Sequence, residues 1–209
     1  MTKYNPFEKD AESYDNWFKK NRETFNSEAE ALKKVFDREK STIEIGAGTG
    51  LFSRELGIKT GLEPSEDMGR IAASRGIDII KGFGENMPIK SGTYEQVVMI
   101  TVECFLEDID KTFDEINRIL SDEGIFIIAF LNRESSLGEI YRKNQKDDPI
   151  YKWAEFKSGD EIKELLEAHG FIFEESYCTV TDFENKNYPV EEGYGNGVFT
   201  VFKAKKQRI

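Results

Sequence analysis

One histidine and two cysteines are the only imidazole and thiol side chains in 209 residues. Cys104 and Cys178 stand alone, without Cys-x-x-Cys or Cys/His spacing. Neither a disulfide scaffold nor a zinc site is expected, and no metal site is assigned. Proline is scarce, with 5 in the chain. No Pro-rich or Ser/Gly-rich linker and no internal repeat divides the sequence, so 1–209 is read as a single domain. Long apolar runs are missing as well. The longest, Val97–Val102 and Ile125–Phe130, fall far short of the roughly 20 residues that span a bilayer. The opening MTKYNPFEKD lacks the apolar stretch of a signal peptide. The expectation is a cytoplasmic protein with no membrane partner. Basic residues are outnumbered, 29 Lys and Arg against 40 Asp and Glu, for a net charge of −11. That deficit argues against nucleic acid and against anionic lipid as partners, since both are gripped by clustered Lys and Arg.

Core-forming residues are present in ordinary amounts, 38% hydrophobic and 12% aromatic, enough for a packed domain of this length. Residues 1–39 read as a polar, helical cap. It carries Tyr14, Trp17, Phe18 and Phe25, and an amphipathic helix is predicted from Ser27 to Arg38. From Ser41 onward short apolar runs alternate with helical periodicity. Strands are predicted at Ser41–Ile45, Lys59–Leu62, Ile77–Ile80, Tyr94–Val102 and Gly124–Leu131. Helices are predicted at Leu51–Leu56, Ser65–Ser74 and Ile109–Leu120. Continuous apolar strands between helices mark a parallel sheet covered on both faces. The last third differs. A helix at Ser158–His169, capped by Ser158 and stopped by Gly170, precedes two strands, Phe171–Val180 and Gly197–Lys203. No helix separates those two, so they are expected to pair antiparallel.

Ile43-Glu44-Ile45-Gly46-Ala47-Gly48-Thr49-Gly50 lies between the first strand and its helix, where glycines allow close approach of a ligand to free backbone N–H groups. A dinucleotide fingerprint would place its third glycine at position 51, which is Leu51. The Gly-Lys-Ser/Thr of a phosphate loop is absent. Glu44, two residues ahead of the loop, suits a cationic ligand group better than a pyrophosphate. Glu63, in Gly61-Leu62-Glu63-Pro64-Ser65, ends the second strand where an acid can accept from both hydroxyls of a ribose. Taken alone, it is equally a turn residue ahead of a cap at Ser65.

This ordered set resembles the class I S-adenosylmethionine-dependent methyltransferases, in the small-molecule branch related to the ubiquinone/menaquinone methyltransferases. Glu44-Ile-Gly46-Ala-Gly48-Thr-Gly50 is similar to that family's first motif. Glu63 is similar to its ribose-binding acid, and Gly82-Phe83-Gly84-Glu85-Asn86-Met87-Pro88 to its third motif. Ile116-Asn117-Arg118-Ile119-Leu120 before Glu123-Gly124 is similar to the helix and glycine turn ahead of its fifth strand. Tyr14-Asp15-x-Trp17-Phe18 is similar to the segment that closes over its cofactor. The resemblance implies an α/β, Rossmann-like, seven-stranded and mostly parallel sheet. Its order is 3-2-1-4-5-7-6 with strand 7 antiparallel, helices cover both faces, and an N-terminal helical lid precedes a 40–209 core carrying a 132–157 lid insertion. The implied cofactor is S-adenosyl-L-methionine and the product S-adenosyl-L-homocysteine. Gly46, Ala47 and Gly48 would meet its methionine part, with Tyr14, Glu44, Thr49 and Gly50 around them. Glu63 and Pro64 would lie at the ribose, Met68 on the adenine, and Thr101 on the methionine side. The family's usual adenine-binding Asp is replaced by Phe83. Either Phe83 packs on the purine, or Glu85 substitutes, or the Gly84 backbone reads its edge.

Methyl transfer from a sulfonium is an in-line displacement that needs alignment, desolvation and proton removal, with no covalent nucleophile. No catalytic residue is assigned on the sequence. Cys104 is read as a small pocket or core residue. His169, the sole histidine, sits at a helix end and is read as structural, which leaves amines, thiols and acidic carbons as acceptors. In Thr101–Asp110, Glu103 would face an acceptor amine, while Glu107 and Asp108 open the next helix; the bland alternative makes all three a solvated acidic turn. Trp17, Tyr141 and Trp153, with Tyr151 and Phe156, would form an acceptor pocket or lid, or else serve as packing anchors. Tyr188 and Tyr194 carry the same two readings. The expectation is an enzyme acting on a small molecule, an amine nitrogen first, as a monomer or homodimer. The rivals are a non-catalytic domain binding the same cofactor, and an NAD-type oxidoreductase, which Leu51 and Glu44 disfavour.

Overall fold

The computed structural model describes residues 11–148 and 150–208. Of the predicted 1–39 cap, residues 1–10 lie outside the described residues. The cap's helices are α1 (Ala11–Lys20) and α2 (Arg22–Lys33). Then come β1 (Thr42–Ile45), α3 (Leu51–Leu56), β2 (Thr60–Leu62), α4 (Glu66–Ser74), β3 (Asp78–Ile80), β4 (Tyr94–Ile100), α5 (Ile109–Ile119) and β5 (Leu120–Leu131). The chain ends through α6 (Ser136–Asn144), α7 (Gly159–Ala168), β6 (Phe171–Thr179), β7 (Glu191–Glu192) and β8 (Phe199–Lys206).

The strands form one sheet in the order β3-β2-β1-β4-β5-β8-β6-β7. β1 to β5 pair parallel, and β8 runs antiparallel to both β5 and β6. This is the expected 3-2-1-4-5-7-6 order with β8 as the reversed seventh strand. The two-residue β7 is an addition on the outer edge of β6.

Alternation along the central strands divides the core between the two faces, because successive side chains of a strand point opposite ways. Val97 and Met99 of β4 join Phe126, Ile128 and Phe130 of β5 beneath Phe113 and Ile116 of α5 and Ile162 and Leu166 of α7. Val98 and Ile100 join Ile127 and Ala129 on the other face, beneath Phe25 and Leu32 of α2 and Phe52 and Leu56 of α3. Local signals place the helix ends. Ser158 and Glu161 form a reciprocal capping box on α7. Gly170 follows with φ +75°, a conformation that glycine adopts without a Cβ penalty.

Several predicted boundaries move: β4 stops at Ile100 rather than Val102 and β8 spans Phe199–Lys206 rather than Gly197–Lys203, and two further shifts have a visible cause. The helix expected at Ser27–Arg38 starts earlier and ends at Lys33, because the backbone of Asp37 is drawn out to the side chain of buried Gln96 at 3.2 Å in both directions. β5 starts at Leu120, not Gly124. A register shift opposite Tyr94–Gln96 lets the strand continue through Glu123 at φ +60°.

His169 lies between the last turn of α7 and α5, with Nδ1 2.7 Å from Asp114 and Nε2 3.0 Å from Asp110. Burial works against its charge, but the two carboxylates outweigh burial and raise its pKa. It ties two helices of one face together, away from the glycine loop, in keeping with a structural role.

Candidate functional site

The strand order reverses between β1 and β4. In open α/β sheets ligands bind at the carboxyl ends of the strands flanking such a reversal. The predicted loop sits there. Gly46, Gly48 and Gly50 all have positive φ, +71°, +54° and +76°. The N–H groups of Gly46 and Ala47 both donate to Leu62 O, at 2.8 and 3.1 Å, which fastens the loop to the end of β2. A Cβ on Gly46 would lie 2.4 Å from the Val102 side chain. A Cβ on Gly48 would meet nothing nearer than the Tyr14 ring at 4.0 Å. The loop is therefore packed on one side and open on the other, with Tyr14 facing the opening.

Two acids flank it. Glu63 is buried, accepting from Gly48 N–H through Oε2 and from Ser65 N–H through Oε1, both at 2.8 Å. Burial raises its pKa against the pull of those two donors. A carboxylate offers about four lone-pair sites, so each oxygen keeps one for a ligand hydroxyl. Glu44 is buried under the loop, where Ser53 of α3 donates a short hydrogen bond to it. Burial pushes its carboxyl up to about 8, with Glu63 adding to the rise. Tyr14 feels both acids. Its phenol is raised by burial first and then by Glu44, Glu28 and Glu63.

The clamp that holds Tyr14 there was not legible as a motif. Arg75, just past α4, pairs through both terminal nitrogens with the Asp15 carboxylate, and its Nη1 also donates to Thr49 O at 2.5 Å. One guanidinium thus joins α1, the glycine loop and α4. Burial opposes the Asp15 charge, but Arg75 and the Thr49 hydroxyl lower its pKa. Ser65 caps α4, accepting from Met68 N–H at 3.4 Å, and Met68 is buried against the same end of the site. Pro64 lies between Glu63 and that cap.

The 82–87 turn closes the β3 side. The Phe83 ring is 58% exposed. Glu85 accepts from Glu107 N–H at 2.9 Å and Asp108 N–H at 3.4 Å, so this acid clips the turn to the start of α5. Gly84 fits against Thr112, 2.9 Å from where its Cβ would be. Of the three alternatives for the purine, Glu85 is already engaged by backbone and Gly84 is buried against Thr112, while Phe83 keeps an exposed ring.

The exit of β4 carries the acceptor-side residues. Thr101 holds φ +51°, costly for a β-branched residue and characteristic of functional edges. Glu103 starts a short 3-10 turn, Glu103–Phe105, and is 3% exposed. Neither of its carboxylate oxygens finds a hydrogen-bond partner. Burial pushes it up to about 8, with Lys157 and the Glu103 and Cys104 amides pulling weakly the other way. It is therefore no solvated turn residue. Asp108 does open α5, accepting from Lys111 N–H at 3.1 Å. Cys104 is fully buried in the core, its thiol 3.9 Å from Thr101 O.

The predicted rings divide. Tyr141 meets Tyr151 edge to face at 5.6 Å, and Tyr151 stacks on Phe105 at 6.1 Å, just past the β4 exit. Trp153 is 54% exposed with Lys152 over its ring, outside that cluster, and Trp17 packs on Phe18 with much of its face in solvent. Tyr188 and Tyr194 are anchors. Tyr188 is buried in the core with its hydroxyl on Glu184 O, and Tyr194 lies under α7 with its hydroxyl on Asp160.

A further acid, Glu28 on α2, was not singled out in the sequence. It lies one turn after Phe25 and one before Leu32, both buried. That i, i+3, i+7 spacing with an acid in an apolar stripe is the signal that marks it. Burial pushes Glu28 up to about 8. Glu28, Glu44 and Glu103 thus each stay protonated in the folded chain at pH values where the unfolded chain is ionised. The stability these three contribute is fully present below about pH 4.5, the usual carboxyl value, and is lost as pH rises through about 8. Calorimetric Tm between pH 5 and 8.5 should decline, and Glu28→Gln or Glu103→Gln should flatten the decline. A Tm that rises over that interval contradicts the protonated assignment.

Among the described residues no helix is long and apolar enough to cross a membrane. The methyltransferase domain family matches residues 18–175. An uncharacterized protein of Methanocaldococcus jannaschii is 37% identical over 204 residues, covering 97% of this chain and 99% of the relative. An uncharacterized Mycobacterium tuberculosis protein is 32% identical over 176 residues, 82% of this chain and 62% of that longer relative. The crystal structure of a Thermotoga maritima S-adenosylmethionine-dependent methyltransferase, described as a possible histamine N-methyltransferase, superposes with a TM-score of 0.93 at 37% identity. That match covers 97% of this chain and 99% of the other.

Proposed function

This chain belongs to the class I S-adenosylmethionine-dependent methyltransferases, and from that premise we propose that it transfers the methyl group to a nitrogen of a small basic acceptor. Gly46, Ala47 and Gly48 would hold the methionine part of the cofactor, with Thr49, Gly50, Glu44 and Thr101 fixing the loop and the strand end around it. The open side of Gly48 is a cradle that a Cβ would fill, which supports this placement. Glu63 would accept from the ribose hydroxyls with its two remaining lone-pair sites, flanked by Pro64. Met68, Phe83 and the Gly84 backbone would border the adenine, with Glu85 clipping that turn in place. Bound there, the cofactor supplies a methyl group on a sulfonium, whose C–S bond breaks with its electron pair left on sulfur.

The observation that carries the acceptor reading is Glu103. It is a buried carboxyl with neither oxygen paired, at the exit of β4. Its carboxyl is pushed up to about 8, so the ionised form, populated as the pH approaches that value, is basic enough to take the proton that the attacking nitrogen gives up. Cys104 shapes the floor beside it, and Tyr141, Trp17 and Trp153 belong to segments that would border the acceptor side. α1 and the 132–157 segment would act as the lid that keeps water from the site. His169, held by Asp110 and Asp114, takes no part. The Thermotoga relative's description as a possible histamine N-methyltransferase supports the same acceptor class.

The test is incubation with S-adenosylmethionine and a panel of histamine, 2-phenylethylamine, catechol and a small thiol, following S-adenosylhomocysteine and the methylated product by mass spectrometry. Product from the amines alone is expected. Turnover confined to catechol or the thiol overturns the nitrogen reading.

A further inference from the structure

Glu28 is 8% exposed on the inner face of α2, and among the described residues no hydrogen bond or ion pair engages its carboxyl. In this it differs from Glu44, which has Ser53, and Glu63, which has two backbone donors. The Phe18 ring meets both Tyr14 of α1, at 5.0 Å, and Phe25, at 5.5 Å and one turn before Glu28. Tyr141 of α6 and Tyr151 of the 151–153 turn pack against the same cluster as Phe25 and Leu32, and all three phenols feel the Glu28 charge. Tyr14 also borders the glycine loop, so Glu28 shares a wall with the cofactor side of the site. Tyr141 and Tyr151 are in mutual ring contact, and Tyr151 reaches the β4 exit through Phe105. No charged group among the described residues shifts the Glu28 carboxyl; burial alone does. An acid buried without a partner destabilises the fold. Aromatic faces around it attract a cation but do not supply one. What the arrangement lacks is a positive charge of ligand size.

We propose that Glu28 selects the acceptor: its carboxylate receives the positively charged nitrogen of a small amine whose body lies among the rings of Tyr14, Tyr141 and Tyr151. The proposal rests on the methyltransferase reading and names the residue that sets its substrate class. The proton balance is defined. On binding, the ammonium keeps its protons and the Glu28 carboxyl gives its own to solvent as the pair forms, so binding near neutral pH releases a proton. At methyl transfer the nitrogen first passes one proton to Glu103, which frees the lone pair that attacks the methyl carbon. The titratable groups facing Glu28 are the three tyrosines, whose pKa values burial raises beyond that range, so they do not contribute.

The experiment is titration calorimetry with 2-phenylethylamine and its neutral isostere 2-phenylethanol, on the unloaded protein and on protein saturated with S-adenosylhomocysteine. The wild type should prefer the amine by about tenfold or more, the ordinary worth of a hydrogen bond to a charged group. Glu28→Gln should bring the two ligands within about twofold while leaving S-adenosylhomocysteine affinity unchanged. Equal binding of amine and alcohol overturns the proposal. So does a preference that survives Glu28→Gln and disappears in Glu103→Gln. Should Glu28→Gln fail to fold, the wild type and Glu103→Gln are compared in phosphate and Tris buffers at pH 7. A heat that differs between the buffers by proton release in both proteins supports the proposal, and one that differs in neither, or in the wild type alone, overturns it. Failure of S-adenosylhomocysteine to bind would strike the cofactor reading instead, and the unloaded arm still reports on Glu28.

Discussion

Glu63→Gln will weaken S-adenosylhomocysteine binding about 100-fold, the loss expected for two hydrogen bonds to a charged acceptor at about 1.5 kcal/mol each. The substitution looks conservative but is not. Both oxygens of Glu63 already accept from backbone, one from Gly48 N–H and one from Ser65 N–H. An amide must turn its NH2 toward one of those donors, so the variant loses a ligand contact and also unseats either the glycine loop or the cap of α4. Calorimetry with S-adenosylhomocysteine checks the affinity. The thermal shift of the unliganded variant separates the two contributions, since damage to the loop appears there and loss of the ribose contact does not. An affinity within about threefold of wild type would mean that the ribose is held elsewhere.

Arg75→Ala will release α1. The Asp15–Arg75 pair is largely buried, with side chains 8% and 15% exposed. Removing one partner of such a pair leaves an uncompensated charge at a cost of about 3–5 kcal/mol. A helix of 10 residues at the chain's edge can avoid that cost by undocking, which carries Tyr14 away from Gly48. Hydrogen exchange across Ala11–Lys20 should accelerate while the sheet stays protected, and cofactor affinity should fall by about tenfold as the cover is lost. The paired variant Asp15→Leu with Arg75→Leu should restore protection, because apolar replacement of both partners removes the desolvation penalty with the charge. Exchange in α1 at the wild-type rate in Arg75→Ala would show that other contacts hold the helix.

The parts of the site visible in the sequence are those where backbone geometry dictates residue type. Gly46, Gly48 and Gly50 are required by positive φ at a strand-to-helix turn, and Glu63 by the end of a strand. The strands were visible because continuous apolar runs mark a sheet buried on both faces, and β8 because no helix separates it from β6. The clamp was not visible. Asp15 and Arg75 lie 60 positions apart, and nothing local in either segment demands the other. Glu28 was hidden for a different reason. In a run of Glu, Ala, Leu and Lys, an acid reads as part of the solvated face, although Glu28 stands three, four and seven positions before Ala31, Leu32 and Val35 on the buried stripe. Glu103 was visible as an acid at a strand exit. Its lack of any partner depends on how the chain folds over it.

The sheet ends in strands of very different length from its centre. β5 has 12 residues, whereas β3 has 3 and β7 has 2. An edge strand presents unpaired N–H and C=O groups that another chain can extend, and long flat edges invite aggregation. Here β7, the outermost strand on one side, is too short to template more than a bond or two and consists of exposed Glu191 and Glu192. The other edge begins with exposed Asp78. Two copies meeting edge to edge at β7 would oppose acid to acid. β7 shields only Tyr177 and Cys178 of β6, and the uncovered start of that strand carries Glu174 and Glu175. Acids thus stand along the rim and discourage the chain from polymerising through its own strands, while β4 and β5 are paired on both flanks.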